Sequence, residues 1–71
     1  MNPSDQPSLA AEQVAIDRKT FFIDLRENAR GRYVKITEQV GGRRNTVLLP
    51  VAALAEFLEA LRRLNDYEAQ L

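Results

Sequence analysis

Between Lys19 and Leu49 the chain alternates apolar and polar residues in three consecutive runs, and two turn signals fold these runs back on one another. A period of two puts successive side chains on opposite faces of an extended strand. In the first run, Lys19 to Glu27, Phe21, Ile23 and Leu25 share one face while Thr20, Phe22, Asp24 and Arg26 share the other. Asn28-Ala29-Arg30-Gly31 then supplies turn chemistry, because asparagine and glycine take positive φ at low cost. The second run, Arg32 to Val40, sets Val34 and Ile36 inward and Tyr33, Lys35, Thr37 and Gln39 outward. Gly41-Gly42 is a two-residue hairpin signal, and the third run, Arg43 to Leu49, sets Val47 and Leu49 inward with Arg44, Thr46 and Leu48 outward.

Opposite residues on antiparallel strands must share a face, so the registers of the two hairpins test each other. A loop over residues 28–31 pairs Arg26 with Tyr33, Asp24 with Lys35 and Ile23 with Ile36, which sets an opposite-charge pair on the outer face. Closure at Gly41-Gly42 pairs Gln39 with Arg44, Thr37 with Thr46 and Ile36 with Val47. Glu38 is the one discord: it falls on the inner side opposite Phe21 and must sit at the sheet margin or find a partner.

Upstream, Leu9 to Asp17 reads as a further strand with Val14 and Ile16 on one side and Gln13, Ala15 and Asp17 on the other, although its alanines and glutamate equally allow a helical turn. Residues 1–8, with two prolines, two serines and no apolar periodicity, read as a disordered tail. Downstream, Pro50 ends the third run and suits the first turn of a helix. Leu54, Phe57, Leu58, Leu61 and Leu64 then recur at helical spacing, a stripe wide enough to pack on its own sheet and best explained as the core of a dimer, with a C-terminal extension able to reach a partner copy. Glu59 stands ahead of Arg62 and Arg63 on the wet side, and the helix ends at Asn65-Asp66 or runs on through Tyr67. The fold expected is α+β: a four-stranded antiparallel sheet followed by one C-terminal helix.

A chain of 71 residues makes one domain, and a single core of this size supplies about 3–5 kcal/mol unless something staples it. With no cysteine and no histidine there is no disulfide, no thiolate and no ordinary zinc site, so oligomerisation, with a homodimer as the default, is the expected staple. No stretch approaches the length of a membrane span, and the start Met1-Asn2-Pro3-Ser4 lacks the pattern of a signal peptide, so a cytoplasmic protein is expected. The formal net charge is zero, but the charge is not evenly spread: residues 18–44 carry eight basic residues against three acidic ones, a local +5 that the two flanks cancel.

The stock for catalysis is thin. Ser4 and Ser8 are the only serines and lie in the tail, and Asp24 and Glu27 are three positions apart on a strand and so face opposite sides. Those two carboxylates read as solvated charges or as partners for Lys35 or Arg26. No enzyme, metal, cofactor or small-molecule substrate is expected. The outer sheet face is richer: Phe22, Arg26, Tyr33, Lys35 and Arg44 share it, with Arg30 and Arg32 at the adjoining loop. Aromatics that stack on bases and cations that neutralise phosphates are what a binder of single strands needs. The same face equally suits a docked protein, steered by the basic hairpin, or cover by a partner subunit. Duplex DNA is the poorest fit, since the one helix pairs an apolar face with a mostly acidic wet one.

The segment Phe21-Phe22-Ile23-Asp24-Leu25-Arg26-Glu27-Asn28-Ala29-Arg30-Gly31-Arg32-Tyr33-Val34-Lys35-Ile36-Thr37-Glu38 resembles the repeat of the PUR-domain (Pur-alpha) family. That repeat runs aromatic-aromatic-Leu-Asp-Val, a polar residue, Asn-x-Lys/Arg-Gly-Arg-aromatic-Leu-Lys-Ile-x-Glu. The resemblance continues through Gly41-Gly42 and a basic pair into an apolar strand and a helix containing Glu56-Phe57, and covers about residues 9–64. It implies a β-β-β-β-α repeat over residues 9–71, two copies of which intertwine in a homodimer, as in single-repeat bacterial-type members. It also implies a non-enzymatic regulator or nucleoid-type protein that binds purine-rich or G-rich single-stranded DNA or RNA through the open sheet and its hairpin loops. The family's Asn and basic loop positions fall on Asn28, Arg30 and Arg32, its stacking aromatic on Tyr33 and its next basic position on Lys35. Where the family often has Gln-Asn-Lys between the first two strands, this chain has Asp17-Arg18-Lys19, which keeps the lysine and loses the asparagine. The candidate nucleic-acid-binding residues are therefore Arg18, Lys19, Phe22, Arg26, Asn28, Arg30, Arg32, Tyr33, Lys35 and Arg44.

Overall fold

The computed structural model describes residues 8–71. Its elements run β1 (Ser8–Ile16), β2 (Lys19–Asn28), β3 (Gly31–Val40), β4 (Arg43–Pro50), a 3-10 turn (Val51–Ala53) and α1 (Leu54–Glu68). The strands form one antiparallel sheet in the order β1-β2-β3-β4. The tail expected over residues 1–8 lies outside the described residues save for Ser8, which opens β1.

Each hairpin is closed by local chemistry. Asp17 turns β1 into β2 in a left-handed conformation (φ 54°), which a short polar side chain tolerates. β2 and β3 run closer to their turn than the sequence suggests: Asn28 pairs with Gly31, leaving Ala29-Arg30 as the loop. Asn28 Oδ1 accepts the backbone N–H of Arg30 at 2.8 Å, and Gly31 (φ 127°) takes a backbone open to glycine. Gly41 (φ 59°) does the same between β3 and β4.

The registers read from the sequence hold. Arg26 faces Tyr33, Asp24 faces Lys35 and Ile23 faces Ile36 across β2 and β3, and Gln39 faces Arg44, Thr37 faces Thr46 and Ile36 faces Val47 across β3 and β4. In β1, Val14 lies opposite Phe21 and Gln13 opposite Phe22, with a register shift between Ser8 and Ala10. Such a shift leaves one residue, here Leu9, without a direct partner. Glu38 does lie opposite Phe21, and it finds partners: Lys19 Nζ at 3.0 Å and Asn45 Nδ2, which donates to it at 3.2 Å.

The inner face gathers Val14, Phe21, Ile23, Leu25, Val34, Ile36, Val47 and Leu49, yet within one chain it is barely a core. Val34 is the only buried apolar residue among those described, while Val14, Ile16 and Val47 are more than half exposed. The reason lies in α1. The sequence predicts that its stripe packs on its own sheet, and the structure corrects this: α1 touches the 3-10 turn and makes no substantial contact with any strand. Pro50 leaves β4 extended (φ −59°, ψ 141°), the 3-10 turn follows over Val51–Ala53, and α1 does not fold back over the strands. Leu58, Leu61 and Leu64 are exposed by half or more. α1 continues past Asn65-Asp66 to Glu68, braced by Arg62, whose Nε donates to Glu59 at 2.8 Å and whose guanidinium also reaches Asp66 at 3.3 Å.

Candidate nucleic-acid interface

Strand parity and register lay the outer face out as rows across β2, β3 and β4. Arg26, Tyr33 and Pro50 form the first row, Asp24, Lys35 and Leu48 the second, Phe22, Thr37 and Thr46 the third, and Thr20, Gln39 and Arg44 the fourth. Rows are about 7 Å apart and neighbouring strands about 4.8 Å apart. Phe22, Arg26, Tyr33, Lys35 and Arg44 therefore do share one face. Phe22, Arg26, Tyr33 and Lys35 are half-buried, and Arg44 is exposed.

Two recesses open on this face. One, of about 270 Å³, is lined by Tyr33, Leu48 and Pro50 and rimmed by Asn28, Arg30, Gly31 and Arg32. The other, of about 200 Å³, is lined by Phe22, Asp24, Arg26, Lys35, Thr37 and Arg44. They adjoin, because Tyr33 and Lys35 are successive outward residues of β3. Thr37 is buried at the floor of the second recess, and Gly31 adds no side chain that would close the first.

The cations are unevenly committed. Arg32 Nε donates to Glu27 at 3.1 Å, so Glu27 pairs with Arg32 and not with Arg26 or Lys35. Asp24 faces Lys35 in the register, but the ion pair it makes is with Arg26 at a loose 3.8 Å. Among the described residues, Arg30, Lys35 and Arg44 take part in no ion pair. Free cations beside half-buried aromatics give a surface that attracts a polyanion and can stack its bases.

Two candidates are placed elsewhere. Arg18 sits in the turn between β1 and β2, at the far end of β2 from the Asn28 hairpin, about 30 Å along the strand. Lys19 falls on the inner face, against Phe21 (5.9 Å from Nζ to the ring centre) and Glu38. Conversely, Leu48 and Pro50 shape the first recess although neither stands out by residue type. The signal for Leu48 is its parity: an outward leucine, 60 % exposed, in a strand whose core residues are Val47 and Leu49. No cluster of metal-ligating side chains occurs among the described residues.

An open antiparallel sheet with one apolar and one cationic, aromatic face, followed by a helix that leaves its own sheet bare, defines a β-β-β-β-α repeat. The chain belongs to the PurA family, described as PurA ssDNA and RNA-binding protein, which it matches over residues 6–71. It is 38 % identical over 64 residues to the human transcriptional regulator protein Pur-beta, covering 89 % of this chain and 20 % of that relative. To the mouse transcriptional activator protein Pur-alpha it is 36 % identical over 64 residues, with the same coverage of 89 % and 20 %. To transcription factor Pur-alpha 1 of Arabidopsis thaliana it is 37 % identical over 51 residues, covering 72 % of this chain and 17 % of the relative. The chain thus matches about a fifth of the length of these relatives.

Proposed function

We propose that this chain works in the cytoplasm as a homodimer that binds single-stranded DNA or RNA, G-rich strands among them, as a non-enzymatic regulator. The observation that carries this reading is the gathering of Phe22, Arg26, Tyr33, Lys35 and Arg44 on one open sheet face beside the Asn28–Arg32 hairpin, with Lys35 and Arg44 unpaired. The family's description supports the ligand class, and the names of the relatives, which speak of transcriptional regulators, support the regulatory role.

The dimer rests on the two uncovered apolar surfaces. A second copy brings its own α1, so each helix stripe can cover the partner's inner face, with two copies intertwined. That arrangement leaves both outer faces open. The test is binding of purified protein to a G-rich single strand across a salt series. Replacing Tyr33, Arg30 and Arg32 together with alanine should weaken binding and flatten its salt dependence. Absence of salt-sensitive binding by the wild-type protein at micromolar concentration refutes the reading. Nucleic acid that co-purifies with the protein and is removed by nuclease separates this function from protein docking on the same face.

A further inference from the structure

Beyond the general assignment of the outer face, its two recesses differ in chemistry, and the difference points to separate parts of one nucleotide. The recess at Tyr33 is lined by the apolar Leu48 and Pro50 and by the Asn28–Arg32 hairpin. Leu48 explains nothing in the fold of the chain: it faces away from Val34, Val47 and Leu49 and is 60 % exposed. An aromatic ring beside an apolar wall, open on one side, accepts a flat, poorly hydrated group by stacking and burial.

The second recess is cationic. Arg26, Lys35 and Arg44 line it together with Phe22, Thr37 and a single carboxylate, Asp24. Arg26 is notable, since its side chain is only 19 % exposed and its Nε is buried with no hydrogen-bond acceptor. The approach of its guanidinium to Asp24, at 3.8 Å, is beyond hydrogen-bond distance. A guanidinium held in a half-buried place with donors unspent costs stability unless something supplies the acceptors. Phosphate oxygens match that need in charge and geometry.

We infer that the Tyr33–Leu48–Pro50 recess is a base slot and the Arg26–Lys35–Arg44 recess a phosphodiester notch, together seating one nucleotide of a single strand and the backbone that runs on from it. This rests on the outer face being the nucleic-acid interface, and it goes further by fixing how the strand lies. Tyr33 of the first recess and Lys35 of the second are one row apart on β3, about 7 Å, which is on the scale of the reach from a base to its own backbone, while Arg44 lies two rows beyond Lys35 and meets the backbone of a neighbouring nucleotide. The strand must then run along β3 with its base turned toward the Asn28 hairpin. A duplex, whose bases are stacked and paired inward, cannot offer the slot a base without opening.

The two roles predict two separable defects, read with a fluorescently labelled G-rich single-stranded DNA at several salt concentrations. Lys35→Gln and Arg44→Gln should each lower the magnitude of the log K against log salt slope, by about 0.7 for every phosphate that is no longer neutralised. Leu48→Ser should leave that slope unchanged and weaken binding about 5-fold at every salt concentration, the effect of roughly 1 kcal/mol less apolar burial. One abasic position scanned along the DNA should weaken the wild type at some position and should cost the Leu48→Ser protein less there. Circular dichroism confirms that each variant is folded. If the wild type binds but Leu48→Ser changes the slope, or keeps full affinity, or Lys35→Gln and Arg44→Gln leave the slope intact, the division into slot and notch is wrong although the interface stands. If the wild type does not bind single strands, both are overturned.

Discussion

Replacing Leu61 with aspartate, at the middle of the α1 stripe, is expected to leave the chain unfolded and not as a folded monomer. Judged within one chain the substitution looks harmless: Leu61 is 50 % exposed and α1 makes no substantial contact with the sheet, a setting in which changes stay within about 0.5 kcal/mol. Covered by a second copy, the position is different. Burying the exposed half of a leucine contributes about 1 kcal/mol, and an unpaired carboxylate in an apolar interface costs several kcal/mol more. Two-fold symmetry doubles both, to a loss on the order of 10 kcal/mol per dimer. One chain has a single buried apolar residue among those described, Val34, and cannot absorb that loss. Far-UV circular dichroism with sedimentation velocity decides the matter, with Ala55→Asp on the wet side of the same helix as a control that should stay folded and dimeric. A Leu61→Asp protein that sediments as a monomer with native helix content and a cooperative melt would refute the coupling of folding to pairing.

Other predictions follow from single residues. Hydrogen bonds from Lys19 and Asn45, with the charge of Lys19, hold the Glu38 carboxyl below its ordinary value. Because the folded-state pKa is depressed, the stabilisation is present above the unfolded value, about 4.3, and is lost as pH falls through the lower folded one. Glu38→Gln should therefore remove part of the acid sensitivity seen in thermal melts below about pH 4 while changing little of their pH dependence near neutrality. Gly31→Ala should cost about 1–3 kcal/mol through backbone strain alone, since φ is 127° and a methyl there would meet nothing within 4 Å. Gly42→Ala, at a position without that backbone and with equally open space, should be close to neutral in the same denaturant titration.

The sheet was legible because its information is local. Alternation assigned every side chain of β2, β3 and β4 to a face, and the turn residues then set the pairings: Arg26 with Tyr33 and Ile36 with Val47 require nothing beyond parity and loop length. Two features were misread, for different reasons. Helical spacing marks Leu54, Phe57, Leu58, Leu61 and Leu64 as a stripe, but spacing carries no information about which surface the stripe meets, and α1 does not meet its own sheet. Lys19 belongs by residue type with the basic cluster. Its parity with Phe21 sends it to the inner face, where Glu38 holds it. Charge counted along the chain could not separate those cases, whereas charge counted by face would have.

Parity also explains how so small a sheet offers two different surfaces at once. Every strand carries both patterns in alternate residues, so Val34 and Ile36 lie on the apolar face while Tyr33 and Lys35 between them lie on the cationic, aromatic one. The arrangement has one weakness: a slip of one residue would exchange the two faces and destroy both surfaces together. The devices that pin the register therefore matter to binding as much as to folding. They are the left-handed Asp17, Gly41 and the Gly31 turn, the Asn28 side chain that closes its own loop, and the Lys19–Glu38–Asn45 tie, which links β2, β3 and β4 at the end of the sheet away from the Asn28 hairpin. Glu38, which looks like a misplaced charge on an apolar face, is the middle of that tie. A slip of one residue would carry it to the other face, away from Lys19 and Asn45, so the tie favours the register observed.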